Sequence, residues 1–245
     1  MINRAGIILA GGMGTRLRPL TLTTNKHLIG IYDRQMIFYP LELLRDSFGI
    51  TDILIVSGGE HVGGFAELLQ DGSEYGVNLT YRVQRNAGGI AQALGLAKDF
   101  TAGRPVAVVL GDNVFSDFVG MATKYPDPDQ AVLFIKEVAD PGRFGVPVFD
   151  SVGNVIRIEE KPKVPASQFA VTGLYYYPND VFDVIKTLKP SARGELEITD
   201  VNNFYIEKNR AVMAKVQGFW SDAGTPKSLL EASIYVANKK SVDKR

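Results

Sequence analysis

Short apolar, β-branched runs recur along the chain, separated by stretches whose apolar positions return every three or four residues. The runs are "AGIILAG", "TDILIVSG", "VNLTYRVQ", "RPVAVVLGD" and "AVLFIKEV". Most are apolar throughout rather than alternating, the pattern of central strands covered on both faces. Helical periodicity spans Met36 to Phe48, His61 to Leu69, Ile90 to Phe100 and Phe115 to Tyr125. This alternation predicts an α/β fold with a doubly wound, mostly parallel sheet. After Asp140 the pattern changes: "RFGVPVFDSVGNVIRIEEKP" predicts a hairpin turning at Val152-Gly153-Asn154, and "AVTGLYYYP" a further strand. A helix follows from Asn179 to Leu188. Thr199 and Asp200 fall either inside the next helix or at its start. The last helix is predicted from Thr225-Pro226, threonine as N-cap and proline at the first helical position, to about Lys239. No repeat, low-complexity tract or linker interrupts the chain, so one domain over residues 1–245 with a β-rich insertion is expected.

Composition narrows the chemistry. Of 245 residues 45% are hydrophobic, enough for a packed core. Lys plus Arg and Asp plus Glu are both 27, so no net field recruits nucleic acid or an anionic membrane, and any phosphate chemistry is local. With no cysteine, disulfides, thiolate catalysis and zinc–sulfur sites are excluded. No apolar run is long enough to span a bilayer and the N-terminus lacks a signal-peptide layout, so a cytoplasmic protein is expected. His27 and His61 are too few and too far apart for a histidine metal cluster.

The first strand breaks into "GGMGTRLRP", with Gly11, Gly12 and Gly14 inside four residues and Arg16 and Arg18 after them. At the carboxyl end of a strand such a bare turn offers backbone N–H groups to a phosphate, and an arginine adds a charge-assisted contact. It is not a Walker A loop, because Gly14 is followed by Thr15-Arg16 rather than Lys-Ser/Thr. Nor is it a dinucleotide fingerprint: Leu17 stands where a third glycine belongs, and "ILIVSGG" lacks the acid that holds a ribose. A glycine turn with solvated arginines is the alternative. Asp112 ends a buried strand on the same edge, and Asp222 sits in a tight turn before the final helix. Two carboxylates suit Mg²⁺ that also binds substrate phosphates, although each alone is equally a cap or turn residue. Lys161, stopped by Pro162, suits a phosphate monoester or a solvated surface.

In this order, "LAGGMGTRLRPLT", "NKHLIGIYDRQMIFYPLELL", "LGDN", "RFGV", "EEKP", "VTGLY", "KPSARGELEITD" and "DAGT" resemble the glucose-1-phosphate thymidylyltransferases, of the sugar nucleotidyltransferase family. The likeness runs from Gly6 to about Ala232. It implies that a sugar 1-phosphate oxygen attacks the α-phosphorus of dTTP, releasing pyrophosphate, with Mg²⁺ as cofactor. It implies a nucleotide-binding part over about 1–140, a sugar-binding part over about 141–224 and a C-terminal helix over about 225–240. Gly11, Gly12, Gly14 and Thr15 would close on the triphosphate. Arg16 would hold pyrophosphate, and Lys26 would neutralise charge at the reacting centre. Gln84 would read the thymine edge, with Gly89 beneath the base. Asp112 and Asp222 are implied metal ligands. Lys161 would hold the sugar phosphate beside Glu160 on sugar hydroxyls, with Gly145 and Val171 lining that site. A homo-oligomer, dimer or tetramer, is expected.

The residue types agree with in-line phosphoryl transfer, which needs positioning and charge stabilisation rather than a covalent nucleophile. Departures from the family pattern stand at Gly30, Gln35, His27 and Phe144, and Gly88 replaces an aspartate below the base. A UTP-dependent uridylyltransferase is an alternative, since one methyl group in a fitted pocket is worth only roughly 1–3 kcal/mol. An inactive nucleotide-sugar sensor is another; it would have lost Arg16, Lys26, Asp112, Lys161 or Asp222, all of which are present. Only the polar tail "KKSVDKR" follows the last helix. The expectation is a short form without the C-terminal helices that build a second nucleotide-sugar site, inhibited by its end product at the active site alone.

Overall fold

The computed structural model describes residues 3–116 and 127–242. In chain order its strands are β1 (Ala5–Ala10), β2 (Gly30–Ile31), β3 (Arg34–Gln35), β4 (Asp52–Gly58), β5 (Asn78–Gln84), β6 (Val106–Leu110), β7 (Val114–Phe115), β8 (Ala131–Glu137), β9 (Gly145–Phe149), β10 (Val155–Glu160), β11 (Phe169–Tyr177), β12 (Ala211–Lys215) and β13 (Trp220–Ser221). The helices are α1 (Phe38–Glu42), α2 (Val62–Leu69), α3 (Ile90–Gly95), α4 (Lys98–Thr101), α5 (Val181–Thr187), α6 (Ile198–Glu207) and α7 (Pro226–Val242). The fold is α/β on a mostly parallel sheet, as the strand–helix alternation predicts. The helical pattern from Phe115 to Tyr125 falls almost wholly outside the described residues.

The chain forms two compact units, each built from three separate segments. One comprises Met1–Ala5, Gly88–Val108 and Tyr125–Gln217; the other comprises Gly6–Ala87, Val109–Lys124 and Gly218–Arg245. In the latter, β4 pairs in parallel with β1 on one side and with β5 on the other. β1 is buried at every position and β4 at its five central ones, so their uninterrupted apolar runs are those of covered strands. β5 differs: each of its residues is half-buried or exposed, and its polar Asn78, Thr80, Arg82 and Gln84 mark an edge rather than a centre. The helix predicted from Met36 begins at Phe38, passes into a π-helical turn over Leu43–Ser47 and stops at Gly49. That glycine has φ 64° and donates its N–H to the Arg45 carbonyl. At α7, Thr225 Oγ1 accepts from the Ser228 N–H while Ser228 Oγ accepts from the Thr225 N–H. These reciprocal bonds cap two otherwise unpaired donors. The buried residues Ala232 and Val236 pack α7 on Ile31, Met36, Val114 and Ala223.

In the other unit β8 pairs parallel with β12 and antiparallel with β11. The β9–β10 hairpin turns where the sequence predicts. Asp150 Oδ1 accepts from the N–H groups of Val152 and Asn154, the local bonding by which aspartate stabilises turns. The helix predicted over Ile90 to Phe100 is two short ones. They break just after Gly95, whose missing side chain lets α3 approach α5 until an added Cβ would lie 3.4 Å from Ile185. Thr199 and Asp200 lie in the first turn of α6, which decides between the two placements left open above.

Candidate active site

The glycine turn follows β1, and its three glycines answer to different constraints. A Cβ on Gly11 would lie 2.6 Å from Gln84 Oε1 at the end of β5, so the bare position lets that amide lie against the turn. Gly14, at φ 58°, would strike Thr21 and the stem of Lys26 at 2.9 and 3.0 Å. Gly12, at φ 96°, faces open space; there the left-handed backbone alone calls for glycine. Thr15–Leu17 then form a single 3₁₀ turn that buries Leu17 and leaves Thr15 and Arg16 exposed.

Asp112 follows β6 and is 8% exposed. Lys26 Nζ donates to its Oδ2 at 2.5 Å, and Asn113 Nδ2 donates to its Oδ1 at 3.0 Å. Burial works to raise the Asp112 pKa, but the Lys26 ammonium, His27 and these hydrogen bonds override it and hold the carboxyl below its usual range. Asp222 lies between β13 and α7. Gly224, two residues on, marks the convergence: a Cβ there would lie 3.1 Å from Arg16 Nη2, 3.4 Å from Asp112 Oδ2 and 3.3 Å from the Asp222 carbonyl oxygen. Gly11, Gly12, Gly14, Thr15, Arg16, Lys26, Gln84, Asp112 and Asp222 thus belong to one unit. The ionised Asp112 carboxylate is the kind of ligand a cation takes when phosphate and water complete its shell, and the Asp222 turn lies beside it through its backbone carbonyl. Among the described residues no three His, Cys, Asp or Glu side chains gather as a metal cage.

Under these residues lies an unanticipated clip. The Asn25 side chain accepts from the His27 backbone N–H at 2.9 Å and sits 2.6 Å from its Nδ1. The imidazole fills the space over Gly111, where a Cβ would lie 2.7 Å from His27 Cδ2. Only at the sequence level is His27 a mere departure from a pattern; in the fold it is the floor beneath Lys26 and Asp112.

The remaining candidates belong to the other unit. Glu160 ends β10, where Thr199 Oγ1 donates to its Oε2 at 2.6 Å. Lys161 Nζ lies 3.2 Å from its Oε1. Lys161 itself has φ 47°, uncommon for a residue with a side chain, and its N–H donates to the Phe144 carbonyl. Gly145 lies against the pair, its absent Cβ 3.7 Å from Glu160 Oε2 and 3.4 Å from Thr199 Oγ1. Gly89, at φ 96°, caps α3 with no room for a side chain, since a Cβ would lie 2.5 Å from the Leu196 carbonyl oxygen. Val171 is a buried residue of β11 opposite Ile135. Sequence reasoning missed Arg193, whose guanidinium reaches Glu197 at 2.8 Å and Glu160 at 3.5 Å. Its signal was the "ARGELEIT" stretch, which spaces Arg193 and Glu197 four apart beside Thr199.

A nucleotidyl transferase family model matches residues 5–239. The chain belongs to the nucleotidyl transferase family. Members of this family generally use a divalent metal. Glucose-1-phosphate thymidylyltransferase of Xanthomonas campestris pv. campestris is 45% identical over 242 residues, covering 96% of this chain and 81% of the relative. The enzyme of the same name from Neisseria gonorrhoeae is 45% identical over 236 residues, covering 94% and 82%. A crystal structure from Bacillus anthracis, provisionally assigned as a glucose-1-phosphate thymidylyltransferase and complexed with a sucrose, superposes with a TM-score of 0.87 at 48% identity. The superposition covers 95% of this chain and 94% of that one. A UDP-glucose pyrophosphorylase complexed with UDP-glucose shares this nucleotidyl transferase fold, with a TM-score of 0.87 at 23% identity.

Proposed function

We propose that the chain transfers a thymidylyl group from dTTP to glucose 1-phosphate, giving dTDP-glucose and pyrophosphate. The carrying observation is the convergence of Arg16 and Asp112 on Gly224 beside the glycine turn, with Lys26 bonded to Asp112. Relatives at 45% identity over most of the chain bear the name of this activity. A sugar-phosphate oxygen attacks the α-phosphorus, the bond to the bridging oxygen breaks, and pyrophosphate leaves with that electron pair. The attacking oxygen is already anionic, so the protein's work is positioning and charge stabilisation.

The backbone of Gly11, Gly12, Gly14 and Thr15 would cradle the triphosphate, Arg16 would hold the departing pyrophosphate, and Gln84 with Gly89 would bind the base. Lys26 would move from Asp112 to the reacting phosphate. Asp112 and Asp222 would hold Mg²⁺, which when bound supplies charge neutralisation on the phosphates. Lys161 would bind the sugar phosphate and Glu160 the sugar hydroxyls, with Gly145 and Val171 lining the pocket. The same reading puts the enzyme in the cytoplasm with its nucleotide substrates. It also makes it a homo-dimer or tetramer, in keeping with the exposed apolar Leu230 and Ile234 on α7, and sedimentation velocity tests that assembly. Among the described residues no helix is long and apolar enough to cross a membrane.

The decisive test is pyrophosphate release with a panel of nucleoside triphosphates against several sugar 1-phosphates. The highest kcat/KM is expected for dTTP with glucose 1-phosphate. A higher value with UTP would make the chain a uridylyltransferase, and no release with any pair would overturn the assignment.

A further inference from the structure

The two acidic turns, 110 positions apart in sequence, are joined by a short ribbon. β7 pairs antiparallel with β13, Val114 opposite Ser221 and Phe115 opposite Trp220. Continuing that register by one residue sets Asn113 opposite Asp222. The ribbon is fastened further along, where the Ser116 N–H donates to the Phe219 carbonyl and Ser116 Oγ accepts from the Phe219 N–H. Inside it, Trp220 Nε1 donates to Asn113 Oδ1 at 2.7 Å, and Asn113 Nδ2 donates to Asp112 Oδ1 at 3.0 Å. Asn113 is 2% exposed.

The chemistry of this chain has one direction. An indole N–H only donates, so it selects the oxygen of the Asn113 amide. The NH₂ end must then turn to Asp112, whose ionised carboxylate only accepts. One Asp112 oxygen is thereby fixed, while the other is bonded to the Lys26 ammonium at 2.5 Å.

We propose that Asn113 and Trp220 are positioning residues: the indole sets the amide, and the amide holds Asp112 so that Oδ2 exchanges Lys26 for a divalent cation carried in on the nucleotide. This rests on the metal role proposed for Asp112. Outer partners of this kind typically change metal affinity 10–100-fold. Trp220 is the only tryptophan in the chain, so its emission reports the exchange.

The experiment measures Mn²⁺ affinity of the protein–dTTP complex by electron paramagnetic resonance, for wild type, Asn113→Ala and Trp220→Phe. Calorimetry in EDTA gives metal-free dTTP affinity for the same proteins. Asn113→Ala should weaken Mn²⁺ at least 10-fold and leave metal-free dTTP binding within 2-fold. Trp220→Phe, which keeps an aromatic ring but loses the pyrrole half of the indole with its donor, should weaken Mn²⁺ by about 3-fold or more. In wild type, adding Mg²⁺ with dTTP should shift the tryptophan emission, and in Asn113→Ala it should not. Wild-type Mn²⁺ affinity in folded Trp220→Phe would overturn the proposal, and so would equal losses of Mn²⁺ and metal-free dTTP binding in Asn113→Ala. If wild type with dTTP binds no Mn²⁺, the metal role of Asp112 fails and the proposal falls with it. Unchanged variants beside a metal-binding wild type would sink the positioning role alone.

Discussion

The His27 imidazole is fully buried beneath the Lys26–Asp112 pair, and the fold holds it neutral. Burial lowers its pKa, the Lys26 ammonium lowers it further and Asp112 opposes them, leaving a value of about 3 against 6.5 for a free histidine. The folded protein therefore refuses a proton that the unfolded chain accepts. Between pH 6.5 and 3 the unfolded state binds more protons, so stability must rise with pH across that window and be lost as pH falls. Integrating the two binding curves from pH 7 to 4.5 gives a loss of about 2–3 kcal/mol from this one group. Other groups also contribute to acid sensitivity; Asp112, with its depressed pKa, loses its share only at lower pH, as pH falls through its folded value. Replacing His27 with glutamine removes the titration, and comparing slopes rather than absolute stabilities cancels any pH-independent packing cost. Urea unfolding followed by circular dichroism at intervals from pH 7 to 4.5 should show wild type losing about 2–3 kcal/mol more than His27→Gln. Parallel pH dependences for the two proteins would refute the neutral buried imidazole.

Asp112→Asn should lower turnover by about two to three orders of magnitude with the fold intact; near-normal turnover at saturating Mg²⁺ would contradict its role. Lys161→Ala should raise KM for glucose 1-phosphate far more than KM for dTTP, and equal changes would remove it from the sugar-phosphate site. Gly89→Ala meets both a left-handed backbone and the Leu196 carbonyl at 2.5 Å, so thermal unfolding should report a loss of about 2–4 kcal/mol; an unchanged melting temperature would argue against that close approach.

What the sequence made legible was local. The apolar runs of β1, β4, β6 and β8 announce buried strands because burial on both faces leaves no polar position to disguise the period. The glycine turn announces itself through composition. β5 reads as a central strand because Leu79, Tyr81 and Val83 keep its tone apolar, yet no residue of it is fully buried and even Val83 is exposed. The π-helical turn after α1 has no signature in a 3.6-residue period. Asn113, Trp220 and the Asn25–His27 clip escaped for a different reason. The Trp220–Asn113 bond spans 107 residues of sequence, and a hydrogen bond between distant turns leaves no periodic trace. Arg193 lay in plain view within a recognised motif, but its pairing with Glu160 depends on β10 and α6 meeting in space.

The three-segment construction of each unit also governs how this protein can change by recombination. Residues of the glycine turn, the Asp112 turn and the Asp222 turn come from three stretches of one unit, cut by stretches of the other at five junctions. A single crossover between residues 112 and 220 would therefore splice one parent's Asp112 ribbon strand to the other parent's Trp220 strand, and one between 26 and 112 would separate Lys26 from the carboxylate it was selected beside. Exchanging the unit that carries Glu160 and Lys161 as a whole requires every junction to be honoured at once. Substrate range in such a chain is accordingly more accessible to point substitution within one unit than to shuffling between homologues.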